Sequence, residues 1–416
     1  MEGKKEMKKK ILSIVLCVTL VFCLFSCNLS NQGSTTNNVT NNITNEITNK
    51  VVEYENIKIT DLEKAIEETV KKVEDAVIGV VLKQVSNLSG GVQSEDNYSV
   101  GSGVIYKKVE NYNGSILTGY TYYAITNRHV VTADDKKTSD DTKVYVYLGA
   151  HDLELEARVI AYDDKDDLAC IAFESNIFIQ PVEFADSDTI QKGAFVIAVG
   201  NPEGFDYYGS VTFGVVSGPL RYISADTDDD GVIDFYGKYV QHDASINPGN
   251  SGGGLFTLDG KLIGINTLKI SSSNVDNMGF AIPSNEVKLV VTEYLEKNIK
   301  IVRPKLGVSV YDVRDLTPAR ITELHLKSIP TSIYEPGEAP YGIYISQVTS
   351  GGTMSAIDIS PDDILLTFND VKLKKQSTLS AMLNSLTEFQ VGTTVKVTYY
   401  DRSKDKVVEA NVVLKA

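Results

Sequence analysis

The sequence predicts a mostly β protein made of a larger strand-rich unit and a smaller mixed unit, and three features predict it. Between residue 77 and about residue 290, short runs of Val, Ile and Tyr recur: VIGVVLKQV, GSGVIYKKV, YTYYAITN, KVYVYLG, ARVIAYD, AFVIAVG, VTFGVVSG, KLIGINTLKI and NMGFAIP. Gly, Asn and Asp punctuate these runs and no long helical pattern separates them, which is the signature of a sandwich or barrel. Arg303-Pro304 then breaks the pattern, and about 110 residues follow with five or six strand-like runs and one helical run, STLSAMLNSL.

The elements follow in order from the N-terminus. MEGKKEMKKK carries five Lys and two Glu, and ILSIVLCVTLVFCLFSC after it carries no charge, the basic and apolar parts of an export leader over 1–27. The apolar run falls short of the roughly 20 residues that a spanning helix needs. Leu24-Phe25-Ser26-Cys27 resembles a bacterial lipobox, with Phe25 where a small residue is usual, so a lipidated Cys27 and a retained anchor both stand. Either one places the rest of the chain outside the cytoplasm, tethered to a membrane. Residues 28–55 are Asn/Thr-rich and nearly free of large apolar side chains, too polar to offset the entropy of ordering, and read as a disordered stalk. DLEKAIEETVKKVEDAV places Leu62, Ile66, Val70, Val73 and Val77 at helical spacing, and EVKLVVTEYLEKN (286–298) reads as a closing helix. The strand-rich unit is thus expected over 56–300 and the smaller unit over 303–416.

Composition excludes some functions. Formal charge is −15, and removing the +3 leader leaves −18, so nucleic acid and anionic membrane surfaces are not expected partners. Three of four cysteines lie in the leader, leaving Cys170 alone among Leu168, Ala169, Ile171 and Ala172, where a buried, inert thiol is expected and no internal disulfide can form.

QHDASINPGNSGG (241–253) raises the question of chemistry. Ser251 is either the polar residue of a turn or a nucleophile, and the string alone does not decide. A serine hydroxyl needs an imidazole to take its proton and a carboxylate to orient that imidazole. With only four histidines in the chain, His129 stands out at the end of a strand-like run, and Asp167 immediately precedes an apolar run. The glycines flanking Ser251 let the backbone turn sharply, so that the N–H groups of Gly249 and Ser251 can face a developing oxyanion.

TNRHVV (126–131), DLA (167–169), AVGNPEG (198–204), QHDASINPGNSGG and GFAIPS (279–284) together resemble the HtrA (Deg) family of chymotrypsin-fold serine proteases, and residues 303–413 resemble the PDZ domain that this family carries. The resemblance implies a double β-barrel protease domain of two six-stranded barrels with the site between them, followed by a small α+β PDZ domain. It implies His129 as base, Asp167 as its orienting acid and Ser251 as nucleophile, with backbone amides of Gly249, Asn250 and Ser251 around the oxyanion. It further implies Ser245, six residues before the nucleophile, as floor of the specificity pocket, with Ile246, Ile270 and Met278 as walls, and hence cleavage after small or medium aliphatic residues. His242 stands where Thr is usual and is read as structural.

In the smaller unit, the resemblance assigns Lys305, Leu306, Gly307 and Val308 to the loop that captures the carboxylate of a peptide C-terminus. Ser360-Pro361-Asp362-Asp363 departs from the usual Gly-Asp there. Expected substrates are unfolded or misfolded exported proteins, no cofactor is required, and a homotrimer follows from the resemblance alone. Asp226, Asp228, Asp230 and Asp234 match positions of a calcium loop, but Gly237 replaces its bidentate Glu, so Ca2+ and a solvated acidic hairpin tip both stand. A chaperone or peptide-binding scaffold that no longer cuts, and a narrowly specific processing protease, are the alternative functions.

Overall fold

The computed structural model describes residues 59–88, 92–132, 142–202, 205–225, 235–267 and 277–416. Helix α1 (Ile59–Val73) ends in Lys71 and Lys72, cations that suit a helix C-terminus. Its end is fixed from the side: Lys72 Nζ donates to the carbonyl of Asp259 at 2.7 Å and Thr69 Oγ1 to that of Leu258. Val77, which the helical spacing would have kept on α1, opens the first strand instead, because a turn over Glu74–Ala76 ends the helical phase.

The first barrel closes in the order β1 (Val77–Leu88), β2 (Val92–Asn113), β3 (Ile116–Asn127), β6 (Leu168–Ser175), β5 (Leu153–Asp163) and β4 (Thr142–Leu148), which pairs back to β1. Strand β4 shows the alternation expected of a half-buried strand: Val144, Val146 and Leu148 point into the core. In β6, by contrast, Leu168 to Phe173 are all buried. One face fills the barrel and the other meets the closing helical segment, so the run shows no period of two. Cys170 lies here, fully buried, and burial pushes its thiol up to about 11.

The second barrel runs β11 (Gly254–Thr257), β8 (Phe195–Gly200), β9 (Ser210–Ala225), β10 (Phe235–His242), β13 (Gly279–Pro283) and β12 (Lys261–Thr267), with β12 pairing back to β11 and the short β7 (Glu183–Phe184) added to it in parallel. Val196, Ala198, Val216, Val240, Leu255 and Ile263 fill it. One-turn helix α2 (Arg128–Val131) follows β3, and α3 (Ser284–Leu289) follows β13. The expected single closing helix is α3 widened into a π turn over Val290–Leu295, which seats Val290, Val291 and Leu295 against the first barrel; Asn298, at φ 52°, ends it.

The smaller unit is an antiparallel sheet in the order β14 (Val308–Asp312), β15 (Ile343–Val348), β16 (Ile364–Phe368), β18 (Thr394–Asp401) and β19 (Lys406–Val413), with β17 (Val371–Lys372) beside β16. Helix α4 (Pro318–Glu323), capped by Thr317, covers one face and α5 (Gln376–Asn384) the other. In the departed turn, Asp362 takes φ 76°, where glycine is at ease, and Asp363 closes the turn by accepting from the N–H groups of Ser360 and Arg402 at 2.7 and 2.9 Å.

From Ala65 to Ala416 the chain is one compact unit, and charged groups join its two parts. Arg303 binds Asp163 through two nitrogens at 2.9 and 2.7 Å and Asp166 at 2.5 Å. Glu286, buried on α3, accepts from the N–H groups of Leu386 and Thr387 and from the hydroxyls of Thr387 and Ser385. Tyr222 and Lys238 both donate to Glu388. Burial holds the carboxyl of Asp166 well above its usual range, against the pull of Arg303.

Among the described residues no helix is long and apolar enough to cross a membrane. The leader over 1–27 and the stalk over 28–55 lie outside the described residues.

Candidate active site

His129 and Asp167 reach each other because the turn between β5 and β6 folds back on the end of β3. The Asp167 carbonyl accepts from the Arg128 amide at 2.9 Å and from Asn127 Nδ2 at 3.0 Å. Asp167 itself takes φ 53°, a left-handed conformation that Asp tolerates better than most residues. Its carboxylate then spans both His129 groups: Oδ1 accepts from the backbone N–H at 3.1 Å and Oδ2 lies 2.7 Å from Nδ1. Thr267 Oγ1 donates to Oδ2 at 3.4 Å. Asp167 is 1% exposed while the His129 ring is about a quarter exposed. A buried carboxylate on Nδ1 fixes the tautomer with the proton there and leaves Nε2 as the basic nitrogen.

Ser251, buried, is brought beside that pair by glycines. A Cβ at Gly252, φ 84°, would lie 2.1 Å from the Ser102 carbonyl, 2.5 Å from Thr126 Oγ1 and 3.1 Å from the Asn127 N. A Cβ at Gly101 would meet Val130 at 2.6 Å and the Ser251 carbonyl at 3.0 Å. Only glycine at both positions lets the Ser251 loop touch the His129 turn. Ser102 then ties the loop to the first barrel, its N–H on the Ser251 carbonyl at 2.8 Å and its hydroxyl on that of Gly249 at 2.7 Å. From the second barrel, Gly252 N–H donates to Asn266 and Asn266 N–H to Gly253, at 3.0 and 2.9 Å.

Gly249 takes φ 97°, and among the described residues its N–H meets no acceptor. The Asn250 N–H does: it donates to the Asn247 carbonyl at 3.0 Å, closing the turn. The Asn250 amide, one of the three expected around an oxyanion, is thus engaged within its own turn.

The expected pocket residues divide. Ser245 is exposed and its carbonyl accepts from Thr212 Oγ1 at 3.0 Å, and Ile246 is half-buried against the second barrel's core. Met278 instead lines a surface cavity with Arg221, Tyr222, Phe280 and Thr378, a set that holds neither Ser245 nor Ile246. Ile270 lies outside the described residues, as do Asp226, Asp228, Asp230 and Asp234. Among the described residues no cluster of three or more His, Cys, Asp or Glu could hold a metal ion.

His242 is fully buried, its ring so close to Gly279 that a Cβ there would lie 2.4 Å from Cε1. Burial pushes its pKa down to about 4. The Asn266 carboxamide and the Ala244 backbone lie near and pull the other way, but neither ring nitrogen has a hydrogen bond among the described residues.

Lys305, Leu306, Gly307 and Val308 come together in the smaller unit, lining a cavity of about 480 Å³ between β14 and α5. Gly307, φ 71°, packs against Gly352, where a Cβ would meet its Cα at 2.9 Å. Val308, Val310, Leu379 and Leu383 supply apolar walls.

Sequence reasoning missed Ser102, Thr267 and the Arg303 cluster. The first sits in Gly-Ser-Gly, a visible close-approach signal, whereas nothing in sequence links Arg303 to residues 137 and 140 positions away.

Two barrels with a serine, an imidazole and a buried carboxylate at their contact, followed by a peptide-groove unit, define a trypsin-like serine peptidase with a PDZ domain. Family models agree: a trypsin-like peptidase domain matches residues 101–265 and a PDZ domain residues 287–414. Serine protease Do-like HtrA of Lactobacillus helveticus is 35% identical over 314 residues, 74% of this chain and 67% of that protein. Serine protease Do-like HtrA of Bacillus subtilis is 34% identical over 348 residues, 82% and 71% respectively. A solved structure of the HtrA-type protease AlgW with decapeptide superposes with a TM-score of 0.54 at 25% identity, over 83% of this chain and 97% of that one. The chain belongs to the HtrA family of serine proteases.

Proposed function

We propose that this HtrA protease is an extracytoplasmic endopeptidase for misfolded or damaged exported proteins, with Ser251 as nucleophile, His129 as general base and Asp167 as orienting acid. The observation that carries the reading is the 2.7 Å contact between His129 Nδ1 and a carboxylate that is 1% exposed. Ser251 Oγ attacks the scissile carbonyl carbon as its proton passes to His129 Nε2, and ionised Asp167 stabilises the imidazolium. The oxyanion faces the N–H groups of Gly249 and Ser251. The imidazolium then protonates the leaving amine, the C–N bond breaks, and a water deprotonated by the same imidazole hydrolyses the acyl ester, regenerating Ser251.

Ser245 and Ile246 give the pocket an uncharged character that favours small or medium aliphatic residues before the cut. The PDZ groove binds peptide C-termini and regulates cleavage. The leader supports export and tethering, and the family resemblance supports a trimer. The chemistry needs no cofactor; activity that falls with a chelator and returns with Ca2+ would give the Asp226–Asp234 loop a part in it.

Digestion of unfolded casein tests the assignment. Ser251→Ala is expected to lower kcat by roughly 10⁶-fold. Equal cleavage by both proteins would refute it, and cleavage of one native target with casein untouched would mean a dedicated processing protease.

A further inference from the structure

We propose that the peptide groove of the PDZ domain is a composite site, its carboxylate end completed by Lys165 from the protease turn that carries Asp167. This rests on reading the groove as a site for peptide C-termini. The cavity lined by Lys305–Val308 and by Leu379 and Leu383 of α5 is also lined by Lys165 and Tyr236, two protease residues.

The end of the groove at which Lys165 sits follows from its neighbours. Arg303, two residues before Lys305, donates through Nε to the carbonyl of Asn384, the last residue of α5, at 3.4 Å. Asn384 Nδ2 in turn donates to the Tyr236 carbonyl at 2.9 Å. The same Arg303 is held by Asp163 and Asp166, and Lys165 lies between those two in the chain. Its N–H donates to Asp163 Oδ2 at 3.1 Å, so its backbone is fixed in that turn. Lys165 therefore stands where the Lys305–Val308 loop meets the C-terminus of α5. In strand addition, this loop is where the peptide's carboxylate ends.

A carboxylate arriving there enters an unfavourable field. The C-terminal carbonyls of α5 present the negative end of a helix. Asp163 and Asp166 occupy the guanidinium of Arg303, and Glu286 adds a third negative charge to its surroundings. The whole chain carries −15. Something cationic has to offset this, and Lys165 and Lys305 are the two lysines lining the cavity. Neither forms an ion pair among the described residues. Lys165 is exposed, so its ammonium can reach a ligand without first leaving a partner. A peptide it grips is bound to the backbone two residues from Asp167.

The test uses the full chain carrying Ser251→Ala, so that no probe is cut. Fluorescence anisotropy would follow a labelled octapeptide ending in three valines, once with a free carboxylate and once as the C-terminal amide. Adding Lys165→Ala should weaken the free acid about three- to fivefold and leave the amide unchanged; Lys165→Glu should weaken it roughly tenfold, and Lys165→Arg should retain it. Thermal melts should coincide, since Lys165 is exposed. Equal preference for acid over amide with and without Lys165 would overturn this inference alone. A parent protein that binds neither peptide, or binds both alike, would overturn the groove reading and this inference with it.

Discussion

The nucleophile loop and the domain junction both lie where two parts of the molecule meet, yet opposite physics holds them. Around Ser251 the ties are neutral: main-chain hydrogen bonds join Ser102 to Ser251 and Asn266 to Gly252 and Gly253, and Gly101 and Gly252 allow contact that any Cβ would block. At the junction the ties are charged: Arg303 with Asp163 and Asp166, and Glu388 with Lys238. Neutral close packing has one geometry and ignores salt, which suits atoms that must be positioned for bond making. Buried ion pairs contribute little net stability against an apolar alternative, and losing one partner strands the other.

The contrast can be broken from either side. Gly252→Ala forces a left-handed alanine into the Ser102 carbonyl, and the expected cost is about 3–5 kcal/mol with activity on casein reduced a hundredfold or more. Near-normal turnover would mean the loop is not sterically fixed. Arg303→Ala, in a Ser251→Ala background to avoid self-digestion, strands the buried Asp166 and the half-buried Asp163 and should cost about 3 kcal/mol, with faster trypsin cleavage of the 300–307 segment. An unchanged melt and an unchanged digest would show that the charged junction holds nothing.

His242 sharpens the comparison by placing a titratable group behind the neutral loop. Its pKa of about 4 lies below the roughly 6.5 of an unfolded histidine. Between those values the unfolded chain binds a proton that the folded chain refuses, so stability falls as pH drops from 6.5 to 4 and is unaffected above 6.5. The total is up to about 3 kcal/mol, and His242→Thr should remove it from urea melts recorded across that window. Parallel pH profiles for the two proteins would show that His242 is not desolvated.

How much could be read beforehand tracks how local each signal was. Ser251, His129 and Asp167 could be singled out because glycines and apolar runs mark them within a few residues. Strand β6 was only an apolar run, since burial on both faces erased its alternation, and β10, mixing Lys238, Gln241 and His242 with aromatics, had no clear period at all. The hydrogen bond by which the Asn250 N–H closes a turn onto Asn247 is visible only in three dimensions. Met278 was placed by resemblance, and the cavity it lines together with Thr378 of the smaller unit has no signal in the sequence.

Ser102 sets a schedule for the birth of activity. Its hydroxyl and amide hold Gly249 and Ser251, and it sits in β2, some 150 positions nearer the N-terminus than the serine it steadies. During synthesis the first barrel, with His129 and Asp167, is translated before Ser251 exists. A chain still being made lacks Ser251, and one whose barrels have come apart has every reactive group but no assembled site. The protease therefore cannot turn on itself or its neighbours until its own folding is complete.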